Sequence, residues 1–358
     1  MTLPITKPQR NGSPAAMPAR ATISDVARKA GVSKATVSRF LNRREELLTP
    51  AIALRVERAI SALGYSPSPM AQALKRGRSR LIGLIVADVT NPFSVAVLRG
   101  AERACQEAGY LLMLFNLGNE AHREREAIES LMAYQVEGLI LNTLGGDEGV
   151  VADALRHGKP MVLVDRRHEG IQTDFVSLDN AGAVRLAAGH LIEAGYRELL
   201  FVSEPIARVS SRLEREAAFR AFIADHAKVA GRTFESTAED PGALAEALRQ
   251  LRARARKGKA AVLAGNAVIS LRVADAAARL RWRFGSDLGL VGFDETEWAP
   301  LIGNGLSTIA QPTGDLGRLA ASCLIERLNG LALPPRQILL PGHLITRGSS
   351  NPDAVKIA

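Results

Sequence analysis

The chain has little of what most small-molecule chemistry requires. Its two cysteines, Cys105 and Cys323, lie far apart in segments of helical periodicity. That spacing excludes a disulfide framework or a thiolate metal site, and both read as reduced core or near-core residues. Six scattered histidines show no metal spacing, and each reads as a surface or lightly packed residue. Neither a metal nor a cofactor is expected. GxxxxGK(S/T), a strand-linked GxGxxG, HExxH and GxSxG are all missing, which removes the commonest phosphate-cradling, dinucleotide, zinc-hydrolase and serine-hydrolase readings. There is no run of 18 apolar residues, no secretory leader and no internal repeat, so the expected compartment is the cytoplasm, at the nucleoid. With 47% hydrophobic residues, the chain can bury an ample core without cross-links.

Charge is present, but at one end. Residues 1–80 contain 15 Lys and Arg against 4 Asp and Glu, a net of +11, while the whole chain carries +9. The excess positive charge therefore belongs entirely to the first 80 residues, where counterion release from a phosphate backbone would use it. Residues 1–20 are Pro-rich without an apolar period and read as a disordered tail. The basic residues beyond Arg20 fall mainly on patterned helices.

Residues 21–50 read as two short helices around a tight turn, followed by a third. Thr22 with Asp25 is a capping-box variant, Ile23, Val26, Ala27 and Ala30 form an apolar stripe, and Gly31 stops the helix. Ser33 caps a second helix with Val37, Phe40 and Leu41 inward. Its other face carries Ala35, Ser38, Arg39 and Asn42, with Lys34 and Thr36 in the first turn. Small hydrogen-bonding side chains of this kind can approach base edges, and Arg39, Arg43 and Arg44 can reach bases or phosphates. Thr49-Pro50 starts the third helix, whose Ile52, Val56, Ile60 and Leu63 close a miniature core before Gly64. A surface hairpin that binds nothing would share this pattern; the basic charge favours DNA.

From Asp25 to Asn42 the sequence DVARKAGVSKATVSRFLN resembles the headpiece of LacI/GalR repressors, and the similarity continues in register through all but the first twenty residues. Within that family, RSRLIGLIVADVTNPFSVAVLRGAERA and FDETEWAPLIGNGLSTIAQP are similar to repressors of 2-ketogluconate utilisation. The resemblance implies an all-α helix-turn-helix headpiece over 21–66, a hinge helix and linker over 67–80, and an α/β two-lobed periplasmic-binding-protein-like domain with parallel sheets over 81–345. A C-terminal tail would come last, over 346–358. DNA contacts are implied for Thr22, Ser33, Lys34, Ala35, Thr36, Ser38, Arg39 and Asn42. In the hinge, Pro69 starts a helix of about two turns, too short to persist alone. Paired hinge helices of a homodimer would wedge Leu74 into the minor groove, with Ala71 and Lys75 nearby. A plain linker with Leu74 packed on the larger domain is the alternative.

The remaining pattern supports the two-lobed expectation independently. Seven apolar runs, at 81–86, 111–115, 138–141, 161–164, 199–202, 261–264 and 288–293, alternate with amphipathic stretches, as in parallel sheets covered on both faces. Ligands of such sheets bind beyond the strand carboxyl ends. The segments just after these runs are polar, carrying Asp88, Asn91, Phe93, Ser94, Asn142, Asp165, Arg166, Arg167, His168, Asn266, Asp294, Glu295, Glu297 and Trp298. Polar loops are the default on any surface, so it is their common position that suggests a cleft. The family resemblance narrows the effector set to Phe93, Ser94, Asp165, Arg166, Ser211, Arg215, Asn266 and Asp294. Arg212 joins them as a candidate carboxylate partner, and Trp298 as a pyranose platform if it is not simply packed. Relatives that bind neutral sugars usually have Asn-Asp where this chain has Asn266-Ala267. Losing that carboxylate suits an acidic ligand met by Arg166, Arg212 or Arg215.

The expectation is a dimeric repressor that binds a near-palindromic operator and is released by a sugar acid, 2-ketogluconate first. Alternatives are a LacI-type regulator of gluconate or ribose, and a sugar-binding protein with no gene-regulatory role. A non-specific nucleoid protein is a further rival. A sugar-modifying enzyme would need Asp165, Asp294 or Glu295 as acid and base, and nothing in their spacing pairs them.

Overall fold

A computed structural model describes residues 21–42, 48–66, 78–145, 148–206, 209–255 and 259–351. The chain divides between Ser79 and Arg80 into two compact units. The hinge segment with Ala71, Leu74 and Lys75, the arginines 43 and 44, and the tails 1–20 and 352–358 lie outside the described residues.

The first unit is a three-helix head. Helix α1 (Ile23–Ala30) begins in a full capping box, Thr22 and Asp25 each bonding the other's backbone N–H, and ends at Gly31 with φ +63°. Helix α2 (Lys34–Leu41) is capped by the Ser33 hydroxyl, which accepts from the Thr36 N–H at 3.1 Å. Helix α3 (Pro50–Leu63) has Pro50 in its first turn and stops at Gly64, but Thr49 contributes no side-chain cap. Val26, Ala27, Ala30, Val37, Val56 and Ala59 form the buried centre. So small a core relies on caps and turns, each worth about 1 kcal/mol.

The second unit holds two six-stranded sheets. The first contains β1 (Leu81–Val86), β2 (Leu111–Asn116), β3 (Gly138–Asn142), β4 (Met161–Val164), β5 (Asp174–Leu178) and the late strand β11 (Gln337–Leu340). Their order is β11-β5-β4-β3-β1-β2, all parallel. The second contains β6 (Tyr196–Ser203), β7 (Ala230–Glu235), β8 (Lys259–Ala264), β9 (Gly289–Phe293), β10 (Ser307–Ala310) and β12 (His343–Ile345), in the order β12-β10-β9-β8-β6-β7 with only β12 antiparallel.

Continuous apolar strands result from cover on both faces. Ile82 and Leu84 pack under α4 (Pro92–Glu107) and α11 (Thr313–Leu328), whereas Ile85 packs under α5 (Glu124–Ala133) and α6 (Glu148–Arg156). In the second lobe, Leu199 and Phe201 face α7 (Asn180–Glu193) and α8 (Ser210–Ala224). Leu200 and Val202 face α9 (Pro241–Arg254) and α10 (Ala267–Arg279). Helices α4 and α11 touch backbone to backbone, since a Cβ on Gly100 would sit 2.0 Å from the Gly314 carbonyl and one on Gly317 2.0 Å from that of Val97. Both cysteines are free and buried in that layer, and burial pushes the Cys105 thiol up to about 11.

The chain passes between lobes three times, at 178–180, 310–313 and 340–343. The expected tail beginning at residue 346 is corrected. Ser349 and Ser350 are fully buried, with Ser349 Oγ donating to the Leu290 carbonyl at 2.6 Å and accepting from the Ser307 N–H at 2.8 Å, so residues 346–351 belong to the second lobe. Of the six histidines, His168 alone departs from expectation: it is 4% exposed and lies 2.7 Å from Thr143 Oγ1, whereas His190, half-buried, reaches Ser350 Oγ at 2.7 Å and the other four are exposed or half-buried.

The return of the chain into the first lobe is stapled by charge. Asp174, at the start of β5, accepts from Arg327 at 2.8 and 3.0 Å and from Arg336 at 2.9 Å. Burial pushes its carboxyl up, but the hydrogen bonds of Arg327 and Arg336 outweigh this and hold it well below the ordinary 3.8. Stability from this group is therefore present above pH 3.8 and is lost as pH falls through the lower folded value. Asp174→Asn is expected to destabilise the large unit by about 3 kcal/mol near neutral pH, because Arg327 loses its counter-charge and Arg336 is left with Glu326 alone. Urea unfolding across pH checks this: the gap should close below pH 3.8, and a constant gap would contradict it.

Candidate nucleic-acid interface and ligand cleft

On the head, α2 presents a polar, largely exposed surface. Ser33, Lys34, Ala35, Arg39 and Asn42 are exposed, Thr36 and Ser38 half-buried, and Thr22 is exposed at the cap of α1. Ser33 Oγ lies 2.9 Å from Thr36 Oγ1, and Asn42 Nδ2 donates back to the Ser38 carbonyl at 2.6 Å. Val37 anchors the opposite side at 0% exposure. Helical spacing thus separates one buried side chain from a row of small donors and acceptors, the composition suited to base edges and phosphates in a major groove.

In the large unit, polar side chains gather at the carboxyl ends of the two sheets. Asp165 follows β4 with φ +64° and Asp294 follows β9 with φ +74°. Left-handed backbone is uncommon for a non-glycine residue, and aspartate tolerates it better than most. Both side chains are buried, at 6% and 5% exposure. The first two turns of α8 supply Ser211, Arg212 and Arg215. Ser211 Oγ donates to Asp165 Oδ2 at 3.1 Å, and Arg215 lies 3.9 Å from Asp165 Oδ1. Arg215 is held flat over the Phe293 ring, 4.3 Å from its centroid, and donates to Asn180 Oδ1 at 2.7 Å and the Gly265 carbonyl at 2.6 Å. Arg166 lies 3.4 Å from Asp165 and reaches the Thr143 carbonyl at 3.2 Å. Asn266 caps α10 and donates to Glu204 Oε2 at 2.7 Å, and the same oxygen accepts from Arg212 at 2.7 Å.

Asp165, Arg166, Ser211, Arg212, Arg215, Asn266 and Asp294, with Asn91, Phe93, Phe201, Ser203 and Gln311, line a space of about 30 Å³, enough for one or two water molecules. Among the described residues, the lining guanidiniums of Arg166, Arg212 and Arg215 face the carboxylates of Asp165 and Asp294, and Glu204 stands just behind the lining on Arg212 and Asn266. Two buried atoms in the lining, Asp165 Oδ1 and Arg166 Nε, have no hydrogen-bond partner, a costly state that a hydroxyl-bearing ligand would relieve.

The structure brings Phe93, Asp165, Arg166, Ser211, Arg212, Arg215, Asn266 and Asp294 together. Two expected members do not join them. Ser94 is buried in α4 without lining the space, and Trp298 is corrected from platform to packing residue, half-buried against the core between β9 and α10. Gln311 and Glu204 were missed. Gln311 sits in a lobe crossing and donates to Asp294 Oδ1 at 2.6 Å, and Glu204 directly follows β6. The latter position alone, at a strand's carboxyl end, would have marked Glu204.

A DNA-reading head joined to a two-lobed, polar cleft defines a ligand-binding DNA-binding protein. Residues 22–68 match the model described as bacterial regulatory proteins, lacI family, and residues 188–350 match a periplasmic binding protein-like domain. The HTH-type transcriptional regulator PtxS of Pseudomonas plecoglossicida is 48% identical over 92% of this chain and 96% of its own length. The HTH-type transcriptional regulator KdgR of Bacillus subtilis is 39% identical over 92% and 97%. Among solved structures, the lac repressor dimer bound to operator and an anti-inducer superposes with a TM-score of 0.78 at 24% identity, over 92% of this chain and 99% of that one. The chain belongs to the lacI family of bacterial transcriptional regulators.

Burial, the largest influence, raises the Asp294 carboxyl above the ordinary 3.8; Arg215, the Ala267 N–H and the Gln311 amide only partly offset it. Its stabilising contribution is present below pH 3.8 and is lost as pH rises through the folded value. In ligand-free protein, Asp294→Asn should therefore raise the melting temperature at neutral pH, by an advantage that shrinks on acidification toward pH 4, as sites kept for function often cost stability. Thermal scans at several pH values measure it, and a lower melting temperature at pH 7 would contradict it.

Proposed function

We propose that this regulator is a homodimeric repressor that holds a near-palindromic operator through α2 and the hinge segment and is released by a sugar acid, 2-ketogluconate first. The observation that carries the reading is a cleft with three arginines, in which Asp165 Oδ1 and Arg166 Nε are ion-paired but have no hydrogen-bond partner among the described residues, on the same chain as a helix-turn-helix head. Hydroxyls suit the aspartates, and a carboxylate suits the guanidiniums. The resemblance to repressors of 2-ketogluconate utilisation and the near-half identity to PtxS point the same way. Leu111 and Leu114, exposed on the edge strand β2, offer apolar surface for a second copy. A two-fold pair of heads then requires two inverted half-sites.

Ala267 is 1% exposed, and its N–H donates to Asp294 Oδ2 at 3.0 Å. A carboxylate there would meet Asp294, and Glu204 already stands beside Asn266. Ala267→Asp should weaken 2-ketogluconate binding about tenfold or more through like-charge repulsion, measured by calorimetry; unchanged affinity would contradict the acid reading.

The function itself is tested by gel-shift titration at fixed salt on the tightest duplex selected from a random pool. 2-Ketogluconate should weaken binding roughly 5–150-fold, the usual span of allosteric coupling; release by galactose or ribose alone would overturn the assignment. In that assay Leu74→Ala should weaken the selected duplex far more than random DNA, and equal losses would exclude the minor-groove wedge.

A further inference from the structure

The Arg212–Glu204 bridge stands at the edge of the cleft and lies wholly within the second lobe: Arg212 and Asn266 line the space, and Glu204 holds both from just behind it. Of the three carboxylates, Asp165 is tied to Ser211 and flanked by Arg166 and Arg215, and Asp294 is tied to Gln311 and Ala267. Glu204 makes both its site bonds through a single oxygen, Oε2, to Arg212 and to Asn266, each at 2.7 Å. Its side chain is 16% exposed and that of Arg212 15%, against 7% for Asp165 and Arg215. Arg212 is also anchored from the far side, donating to the Pro205 carbonyl at 2.8 Å. The guanidinium is fixed and the carboxylate is the movable partner.

Charge balance makes this consequential. Among the described residues, Arg166, Arg212 and Arg215 stand against Asp165, Asp294 and Glu204, so an added anion brings one more negative charge to a space already of water size. We propose that Glu204 is an internal stand-in for the ligand's carboxylate: the sugar acid takes its place on Arg212 and Asn266, Glu204 swings to solvent, and the cleft keeps its charge. The exchange sets selectivity. A neutral sugar cannot replace Glu204 on Arg212, so it meets a closed bridge. An acid gains one charge-assisted contact for the one it breaks, and vacates room for its own carbon chain.

This inference rests on the sugar-acid reading, and the two fail differently. Calorimetry on the full chain compares 2-ketogluconate with fructose, which carries a CH2OH in place of the carboxylate. In Glu204→Gln, Arg212 is freed of its competing charge, so affinity for 2-ketogluconate should rise about tenfold or more, with fructose changed less than about threefold. With Arg212→Met as background, Glu204→Gln should make no difference. If the Gln variant melts below the assay temperature, Glu204→Ala carries the same expectation. Wild-type binding of 2-ketogluconate with equal or weaker binding by these variants would overturn the exchange and leave the sugar-acid reading standing. A wild type that binds no sugar acid would overturn both.

Discussion

The cleft depends on one carboxylate shared between the lobes. Asp165 leaves the first sheet at the end of β4, yet its partners Ser211 and Arg215 belong to α8 of the second lobe. The neighbouring backbone goes with it, as the Arg167 N–H donates to Ser210 Oγ at 2.7 Å and its guanidinium lies 3.5 Å from Glu214. A loop of one lobe is thus seated on the first turns of a helix of the other. A buried charge with such partners is worth several kcal/mol to break and much less to exchange for another polar partner. Asp165 thus ties the two lobes together at the cleft.

Three chain crossings make that interaction mechanical. They fall at 178–180, 310–313 and 340–343, and two carry residues of the site: Asn180, which holds Arg215, and Gln311, which holds Asp294. Short crossings between rigid, fully covered sheets permit hinge motion and little else. The stapling of Asp174 by Arg327 and Arg336 keeps α11 and β11 fixed to the first lobe, so a change in lobe angle is not dissipated in that return segment.

Much of this is readable from the residues, for physical reasons that differ by element. Seven apolar runs became strands, six of them because burial on both faces leaves no polar alternation to mislead, while β2 keeps its apolar run at a sheet edge with Leu111 and Leu114 exposed. Strand β7, largely exposed at a sheet edge, and the short β10, β11 and β12 carry no such run. The caps at Thr22 and Ser33 and the stops at Gly31 and Gly64 were legible because each is a local bond between residues three to five apart. Thr49 has the right residue type but makes no cap bond. The aspartates after β4 and β9 were visible from strand position. Gln311, Asn180 and the Arg212–Glu204 bridge were not, because most of their partners lie tens of residues away and are brought close only by the fold. Trp298 obeyed the same strand-end rule as Asp294 and was drawn into the core instead, where an indole gains more by burial than by display.

Coupling between cleft and head is the central claim, and reciprocity tests it directly. If a sugar acid lowers affinity for the selected duplex by some factor, that duplex must lower affinity for the sugar acid by the same factor. Calorimetric titration of 2-ketogluconate into the protein, alone and saturated with duplex, measures this in one comparison. The account predicts weaker binding in the presence of DNA by the factor found in the gel-shift assay. Equal affinity with and without DNA would contradict it.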